Sequence, residues 1–284
     1  MEKIALITDS TCGLPSEYIE KYNVHVARLK IIYKSSEYID GITITADEVY
    51  SKLNEELPTT SMPSVQDVCD LYDQLLKEGY THAIVMPISS GLSGTINSFR
   101  LASQEYEDKI TSFIFDTKIL SMAVGLSVIE IGKMIENGKS FNYICNAIPK
   151  LRANTSMYFT VDTLEYLIKG GRIGRVTGSV GQLLNLKPII TMDDEGKYTN
   201  HSKVRGSKKA FNELLKLATT ILDKGKAKVV IMTGTMREEA EKLKSILEKH
   251  ENTTFMYVGT ITPAVGIHSG PKLLAVAMLK EEEL

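Results

Sequence analysis

The chain of 284 residues contains few cysteines and no tryptophan. Its three cysteines, Cys12, Cys69 and Cys145, are far apart and odd in number. They show none of the short spacings of a metal-binding motif, and three thiols cannot all pair within one chain. These features argue against a disulfide scaffold, and we expect a reducing, cytoplasmic environment. The absence of tryptophan decides nothing about function.

The chain also lacks an excess of either charge and lacks any long apolar run. Lys plus Arg total 33 against 35 for Asp plus Glu, so there is no electrostatic footprint for nucleic acid. Nothing approaches the roughly 20 apolar residues of a membrane span. The first three residues lead into the short apolar segment 4–7, which is too short for a signal peptide. We therefore expect no nucleic-acid partner and no integral membrane segment.

Familiar ligand-binding motifs are missing as well. The sequence has no G-x-G-x-x-G fingerprint and no Walker loop, so dinucleotide or P-loop nucleotide binding is disfavoured. Asp9 and Asp116 each follow a strand-like run, where a carboxylate could bind a metal ion, but neither has a neighbouring carboxylate. We expect no metal site and no cofactor.

The first half of the chain alternates strand-like and helix-like segments. Apolar runs predict strands at 4–7, 24–33, 83–88 and 110–115. Thr45 and Ser64 are predicted to start helices, and a long helix is predicted from about Leu120 to Asn137, with Gly138 just past its end. This alternation predicts an α/β domain over residues 1–155, with a parallel sheet covered on both faces.

The second half has a different pattern. Two strands, at 187–191 and 198–204, are predicted to form a hairpin around the turn 193–197, DDEGK. Helix, strand, helix and strand are then predicted at 207–223, 228–233, 236–250 and 254–258. The final run 273–279 is ambiguous, with strand favoured over helix. We expect a second, two-layer α/β domain over residues 156–284, with a mixed sheet and helices on one face.

Two turns rich in serine and threonine are the strongest candidates for a ligand site. They are the segments 60–64, TSMPS, and 89–95, SSGLSGT, and each precedes a predicted helix start. Hydroxyls and free backbone N–H groups at a helix N-terminus bind anionic oxygen groups such as carboxylate or phosphate. Ser93, with Gly91 and Gly94 beside it, is the strongest single candidate, although a helix cap is an equal alternative. Thr60 and Ser61 could equally belong to a solvated loop.

A catalytic role for Ser93 is a second possibility. In a Gly-x-Ser-x-Gly nucleophile elbow, Gly91 would be the first glycine, but Thr95 stands where the second should be. Of the five histidines only His268 lies in a loop-like segment, so it is the candidate base. A serine-dependent hydrolase or acyltransferase using Ser93 and His268 therefore stays open beside a site that only holds an anion.

Six segments, taken together and in order, resemble the DegV family of bacterial fatty-acid-binding proteins. They are 8–11 (TDST), 60–64, 89–95, 169–174 (KGGRIG), 204–210 (VRGSKKA) and 268–271 (HSGP). The resemblance covers essentially the whole chain. It implies a first domain with a Rossmann-like three-layer parallel sheet and a second with a mixed sheet that contributes to an acyl-chain tunnel.

The resemblance also implies a function. Family members of this kind hold a long-chain fatty acid such as palmitate non-covalently. They present its carboxylate to a separate ATP-dependent kinase subunit, which makes acyl phosphate. No catalytic centre is then expected in this chain, and the alternative becomes a lipid hydrolase or acyltransferase.

By position, the carboxylate-binding residues implied by the resemblance are Thr60 and Ser93, with Ser61 and Gly94 beside them and His268 in the surrounding polar network. Arg172, which otherwise looks like a surface residue of a tight turn, is implied to act in phosphoryl transfer with the kinase subunit.

One position departs from the family pattern. The family usually has glycine after the proline of its His-x-Gly-Pro motif, and this chain has Lys272. Either the turn needs no left-handed residue there, or a positive charge has been added near the site.

Overall fold

The computed structural model describes residues 2–179 and 185–281, over which the chain forms an α/β fold around three sheets. The strands are β1 (Ile4–Asp9), β2 (Val24–Ala27), β3 (Lys30–Ile32), β4 (Glu37–Ile39), β5 (Thr59–Ser61), β6 (His82–Met86), β7 (Thr111–Ile114), β8 (Thr155–Val161), β9 (Leu186–Met192), β10 (Tyr198–Arg205), β11 (Ala227–Thr233), β12 (Thr253–Thr260) and β13 (Leu273–Lys280). The α-helices are α1 (Ser16–Lys21), α2 (Ala46–Lys52), α3 (Val65–Lys77), α4 (Thr95–Gln104), α5 (Met122–Glu136), α6 (Phe141–Ala153), α7 (Glu165–Lys169), α8 (Ser207–Leu222), α9 (Arg237–Leu247) and α10 (Pro263–Ser269). Short 3₁₀ helices cover Ser10–Cys12 and Gly174–Ser179.

The first sheet is parallel, with strand order β2-β1-β6-β7. Successive side chains along each strand point to opposite faces of the sheet. Ile7 packs with residues of α3 and α4 on one face, whereas Leu6 packs with α5 and α6 on the other. The prediction of a three-layer parallel domain core is therefore confirmed.

The second sheet is mixed, with order β10-β9-β8-β13-β11-β12. Among the described strands of this sheet, only β11 and β12 pair in parallel, and the hairpin of β9 and β10 turns at 193–197 as predicted. The run at Leu273–Lys280 is a strand, which confirms the favoured assignment. On one face Leu274 packs with α8 and α9, so the predicted helices on one face are also confirmed.

The other face of the second sheet packs against α5 and the first sheet. Phe159, Met232 and Leu273 from this face share one apolar cluster with Leu6 and with most of α5. Because α5 has apolar neighbours on most sides, 11 of its 15 residues are buried. The largest core of the protein thus lies between the two sheets.

The predicted strand at 24–33 is wrong as a single element. The chain leaves the first sheet after Ala27, and β3 begins a separate antiparallel sheet of order β4-β3-β5. Leu29 donates its N–H to Ser10 Oγ at 3.1 Å, and Arg28 donates to the carbonyl of Asp40 at 3.2 Å. These long-range contacts fix the break, and they bring the small sheet beside the first.

Within the described residues, the first sheet uses no strand after Ile114 and the second uses none before Thr155. The division into domains 1–155 and 156–284 stays a prediction. Between them lies α6, a helix that was not predicted from the sequence and that carries Pro149 inside it. In the part of the chain that the structure describes, no helix has the length and apolarity needed to cross a membrane.

Candidate functional site

Thr60 and His268, which are far apart in sequence, are joined by a hydrogen bond. Thr60 lies in β5 opposite Ile31 of β3, and its Oγ1 is 2.8 Å from Nε2 of His268. His268 is in the last turn of α10, so the expectation of a loop at this residue is wrong. Proline at the first position of α10 favours helix there, and α10 is buried almost throughout. The small sheet and α10 thus position this pair.

Ser93 lies on the turn between β6 and α4. Its Oγ is 2.9 Å from Thr95 Oγ1 and accepts the Thr95 N–H at 3.3 Å, while Gly94 is the N-cap of α4. The hydroxyl therefore accepts a hydrogen bond from the first N–H group of α4, as a helix cap does. The cap and ligand roles predicted for Ser93 are compatible in this geometry, because a hydroxyl has one donor and two acceptor sites.

The turn that carries Ser93 is held against the second sheet. Ser89 Oγ donates to the carbonyl of Gly196 in the β9–β10 hairpin at 2.7 Å. A Cβ on Gly91 would lie only 2.5 Å from the same carbonyl oxygen, so glycine is needed for this close approach. The hairpin of the second sheet therefore fixes the position of the Ser93 turn.

Arg172 follows α7 and reaches back to the same turn. Its Nε donates to the carbonyl of Leu92 at 3.2 Å, and its Nη1 donates to the carbonyl of Gly170 at 2.8 Å. Arg172 is thus not a free surface residue of a tight turn: its guanidinium is fixed beside Ser93 and its charge acts on the side chains there.

A small cavity of about 40 Å³ brings four of the predicted residues together, and although most of its wall is apolar we call it the polar cavity after their side chains. Its walls are Thr11, Leu29, Thr60, Ile88, Leu92, Ser93, Leu120, Arg172, Tyr198, Ala264, Val265 and His268. Ser61 and Gly94 flank this cavity without lining it: Ser61 pairs with Lys30 in the small sheet, and the Cα of Gly94 faces Met62.

An apolar cavity of about 30 Å³ adjoins the polar one. Leu120, Tyr198 and Val265 line both, so the two cavities share a wall. The rest of the apolar cavity is formed by Ser121, Met122, Ala123, Met157, Phe159, Met232, Ile261, Leu273, Ala275, Val276 and Ala277. It lies between α5 and the second sheet, in the core described above. The two cavities are separate and adjacent, and we refer to them as the polar cavity and the apolar slot.

His268 is neutral at pH 7. Burial and the neighbouring Arg172 charge lower the pKa of its imidazole to about 4. Its Nδ1 is buried without a hydrogen-bond partner among the described residues. An unpaired acceptor there costs less than an unpaired donor, so we assign the proton to Nε2. His268 then donates to Thr60, and the Thr60 hydroxyl keeps its own proton for another acceptor.

The lowered pKa predicts a specific dependence of stability on pH. Between pH 4 and 6.5 the unfolded chain protonates His268 and the folded chain does not, so this residue adds stability as pH rises. We expect the difference in free energy of unfolding between the protein and His268→Gln to grow by ~3 kcal/mol across that interval. Denaturant unfolding at a series of pH values measures it. A difference that stays constant with pH would contradict the buried neutral state.

The two strand-end carboxylates hold the loops in place. Asp9 accepts from the N–H of Thr11 at 2.9 Å and from the N–H of Ile88 at 2.6 Å, and both of these residues line the polar cavity. Burial raises the pKa of Asp9 to about 6, against the effect of these hydrogen bonds. Asp116 accepts from the N–H and hydroxyl of Ser90. Among the described residues, no cluster of three or more His, Cys, Asp or Glu side chains could hold a metal ion.

Among the described residues, Ser93 and His268 are not hydrogen-bonded to each other. The Nε2 of His268 is bonded to Thr60, and the Ser93 hydroxyl is bonded to Thr95. A catalytic dyad of Ser93 and His268 would require both of these hydrogen bonds to be exchanged.

Lys272 is accommodated without strain. Among the described residues it is not one of those with positive φ, whereas Gly270 two residues earlier has φ of +78°. Its ammonium lies 3.7 Å from Asp162 Oδ2 and away from the polar cavity. The turn therefore needs a left-handed residue at 270 and not at 272.

Several cavity residues were not predicted from the sequence. Leu29, Leu120, Tyr198, Ala264 and Val265 are apolar or aromatic and resemble ordinary core. Ile88, which also lines the cavity, could have been selected from the sequence, because it follows a strand at the carboxyl edge of the first sheet, where such sheets bind ligands.

The fold and the site define an α/β protein in which a parallel sheet, a mixed sheet and a small antiparallel sheet surround a polar cavity and an apolar slot. A family model described as "Uncharacterised protein, DegV family" matches residues 3–281, and the chain belongs to that family. A DegV domain-containing protein from Clostridium acetobutylicum is 48% identical over 281 residues, which cover 99% of this chain and 100% of that protein.

Solved structures share the whole fold. A DegV family protein from Thermus thermophilus, described as fatty-acid-binding, has a TM-score of 0.92 at 30% identity, covering 98% of this chain and 100% of that one. A fatty-acid-binding DegV family protein from Streptococcus agalactiae has a TM-score of 0.91 at 31% identity, covering 99% and 100%. A stearic-acid-binding protein from Eubacterium ventriosum has a TM-score of 0.87 at 28% identity, covering 99% and 98%.

Proposed function

We propose that this protein binds a long-chain fatty acid non-covalently, with the carboxylate in the polar cavity and the hydrocarbon in the apolar slot. The observation that carries the proposal is that Leu120, Tyr198 and Val265 line both cavities, so a cavity with hydroxyl and guanidinium groups lies directly beside an apolar one. The fatty-acid-binding relatives of the same fold support the choice of ligand.

The hydrocarbon provides most of the affinity. About fifteen buried methylenes contribute roughly 12 kcal/mol gross at about 0.8 kcal/mol each. The apolar slot is only about 30 Å³, so an acyl chain must displace side chains to enter it. Met122, Met157 and Met232 line the slot, and unbranched methionine side chains rearrange at low cost. Flexible side chains suit a slot that widens around its ligand.

The polar cavity offsets the cost of burying a carboxylate, which is several kcal/mol when the group is left unpaired. With the imidazole proton assigned to Nε2, His268 donates to Thr60 across the 2.8 Å contact, and the Thr60 hydroxyl is free to donate to a carboxylate oxygen. Ser93 supplies a second hydroxyl, and the guanidinium of Arg172 supplies positive charge to the same cavity. These groups fix which end of the lipid occupies the polar cavity.

We further propose that the protein is a carrier without a catalytic centre of its own, which presents the carboxylate to a separate ATP-dependent kinase subunit in the cytoplasm. The arrangement of the polar end supports this. Arg172 is only partly buried and contacts Leu92 in the Ser93 turn, so it can face both the ligand and a partner. Its place beside the carboxylate suits a role in phosphoryl transfer.

Native mass spectrometry of the delipidated protein mixed with palmitate tests the proposal. We expect an adduct of one palmitate that is lost under collisional activation. A covalent acyl group on Ser93 would instead favour the lipid hydrolase or acyltransferase. The absence of any adduct would overturn fatty-acid binding.

Ser93→Ala separates binding from presentation. We expect the affinity for palmitate to change less than about threefold, because the hydrocarbon dominates it, and the rate of acyl-phosphate formation with the cognate kinase to fall about tenfold. Ser103→Ala, near the other end of α4 and outside the cavity, is the matched control. Equal losses of binding and delivery in Ser93→Ala would contradict this division of roles.

A further inference from the structure

A second, larger pocket lies on the opposite face of the second sheet. Leu273 lines the apolar slot, and the next residue, Leu274, lines this pocket, because successive strand residues point to opposite faces. The pocket encloses about 510 Å³, within the roughly 300–1,000 Å³ of small-molecule sites. It lies beside the carboxyl ends of β8 and β11, the edge where α/β sheets usually bind ligands.

Positive charge dominates the walls. Four lysines line the pocket against two acidic residues, and these are Lys187, Lys208, Lys242 and Lys272 with Asp162 and Glu239. Asp162 is already bonded to Lys187 at 2.5 Å. Within the described residues Lys208 forms no ion pair, and the ammonium of Lys242 lies 5.5 Å from the ring centre of Phe211. The pocket therefore has cationic groups available for an anion.

The N-terminus of α8 opens onto the same space. Ser207 and Lys208 begin this 16-residue helix and line the pocket, and the N-cap residue is Gly206, which has no side chain to cap the helix. The N–H groups of the first turn are left without intrahelical acceptors. Such N–H groups, together with the helix dipole, bind phosphate groups.

A buried hydroxyl points independently to a ligand. Thr160 lines the pocket and is only 6% exposed, yet its Oγ1 has no hydrogen-bond partner among the described residues. Buried hydroxyls in folded proteins are almost always paired, because an unpaired one is costly. A ligand oxygen would supply the missing partner.

The remaining wall is apolar. Ala210, Phe211, Met236 and Leu274 line it, so the bound molecule has an apolar body beside its anionic group.

We propose that this pocket is a second binding site, for a small phosphate monoester with an apolar body. The phosphate lies at the N-terminus of α8 beside Lys208, and the body packs on Phe211 and Leu274.

Titration of the full-length protein with phenyl phosphate, followed by NMR or calorimetry, tests the proposal. We expect phenyl phosphate to bind more tightly than inorganic phosphate, because only the former has an apolar body. Lys208→Gln should weaken the binding of phenyl phosphate about tenfold, the typical effect of one charge-assisted hydrogen bond. Lys209→Gln, at the next position of α8 and outside the pocket, should leave it unchanged.

Thr160→Val tests the hydroxyl. Because valine removes an unpaired polar atom at nearly constant shape, we expect a folded variant with unchanged or higher thermal stability that binds phenyl phosphate several-fold more weakly. Failure of the unmodified protein to bind phenyl phosphate would overturn the proposal. Equal binding by the protein and by Lys208→Gln would overturn it too, since the ligand would then lie elsewhere.

Discussion

Ala275→Leu is expected to weaken the binding of palmitate by about 100-fold. Ala275 lines the apolar slot beside Phe159 and Met232, with which it is paired across β8 and β11. The larger side chain occupies space that an acyl chain needs. If three or four methylenes lose their burial, the cost is roughly 2.5–3 kcal/mol at about 0.8 kcal/mol each, which corresponds to about two orders of magnitude in affinity. Calorimetry with palmitate measures the change.

Ala240→Leu provides the matched control. Ala240 is fully buried in α9, in the core on the other face of the second sheet, so the same substitution overpacks the protein without entering the slot. We expect Ala240→Leu to lower the free energy of unfolding while leaving the affinity for palmitate nearly intact. A comparable loss of affinity in both variants would mean that general destabilisation, and not the slot, accounts for the effect.

The sequence was sufficient for most of the fold because the large elements have local signals. The long helix ends with Asn137 as its C-cap, and Gly138 has the left-handed φ of +69° that was expected just past its end. The helix starts predicted at Thr45 and Ser64 are confirmed, and each residue forms a capping box. In these places the residues that decide the structure are close together in the chain.

The wrong predictions concern places where residues distant in the sequence decide the structure. The apolar run 24–33 carries no local break, and the bonds that divide it come from Ser10 and Asp40, which are distant in sequence. The short helix α10 is buried almost all round, so it shows no periodic polar face that would have predicted it. The loop assigned to His268 followed from that missing signal.

The candidate site divides in the same way. Thr60, Ser93, His268 and Arg172 could be selected because hydroxyls, imidazole and guanidinium in turn-rich segments are chemically distinctive, and they line one cavity. Tyr198 and Val265 could not be selected from the sequence. A residue that lines an apolar slot has the same side-chain chemistry as a core residue, and only the empty space beside it in the folded structure distinguishes it. The roles of Ser61 and Gly94 as carboxylate ligands stay predictions, since neither lines the cavity.

Gly170→Ala is expected to weaken the binding of palmitate about 30-fold, the equivalent of ~2 kcal/mol. Gly170 has φ of −76°, so alanine adds no backbone strain there. Its Cβ would, however, collide with Nδ1 of His268 and lie 3.2 Å from Cε1 of the same ring. The ring must move within the cavity that it lines, so it obstructs the carboxylate as well as losing the hydrogen bond that orients the Thr60 hydroxyl. This obstruction is why the expected loss is larger than that of Ser93→Ala. Calorimetry with palmitate again gives the affinity.

A double-mutant cycle identifies the cause of that loss. In a His268→Ala background the collision is removed, so Gly170→Ala should have little further effect on affinity.

Gly171→Ala is the control for backbone strain in the same turn. Gly171 has φ of +69°, and no atom lies within 4 Å of the position that its Cβ would take, so the variant adds strain without a collision. We expect it to lower stability by about 1 kcal/mol and to leave affinity nearly unchanged. If Gly170→Ala is just as damaging when His268 is absent, the glycine serves the turn itself, and the imidazole does not set the orientation of Thr60.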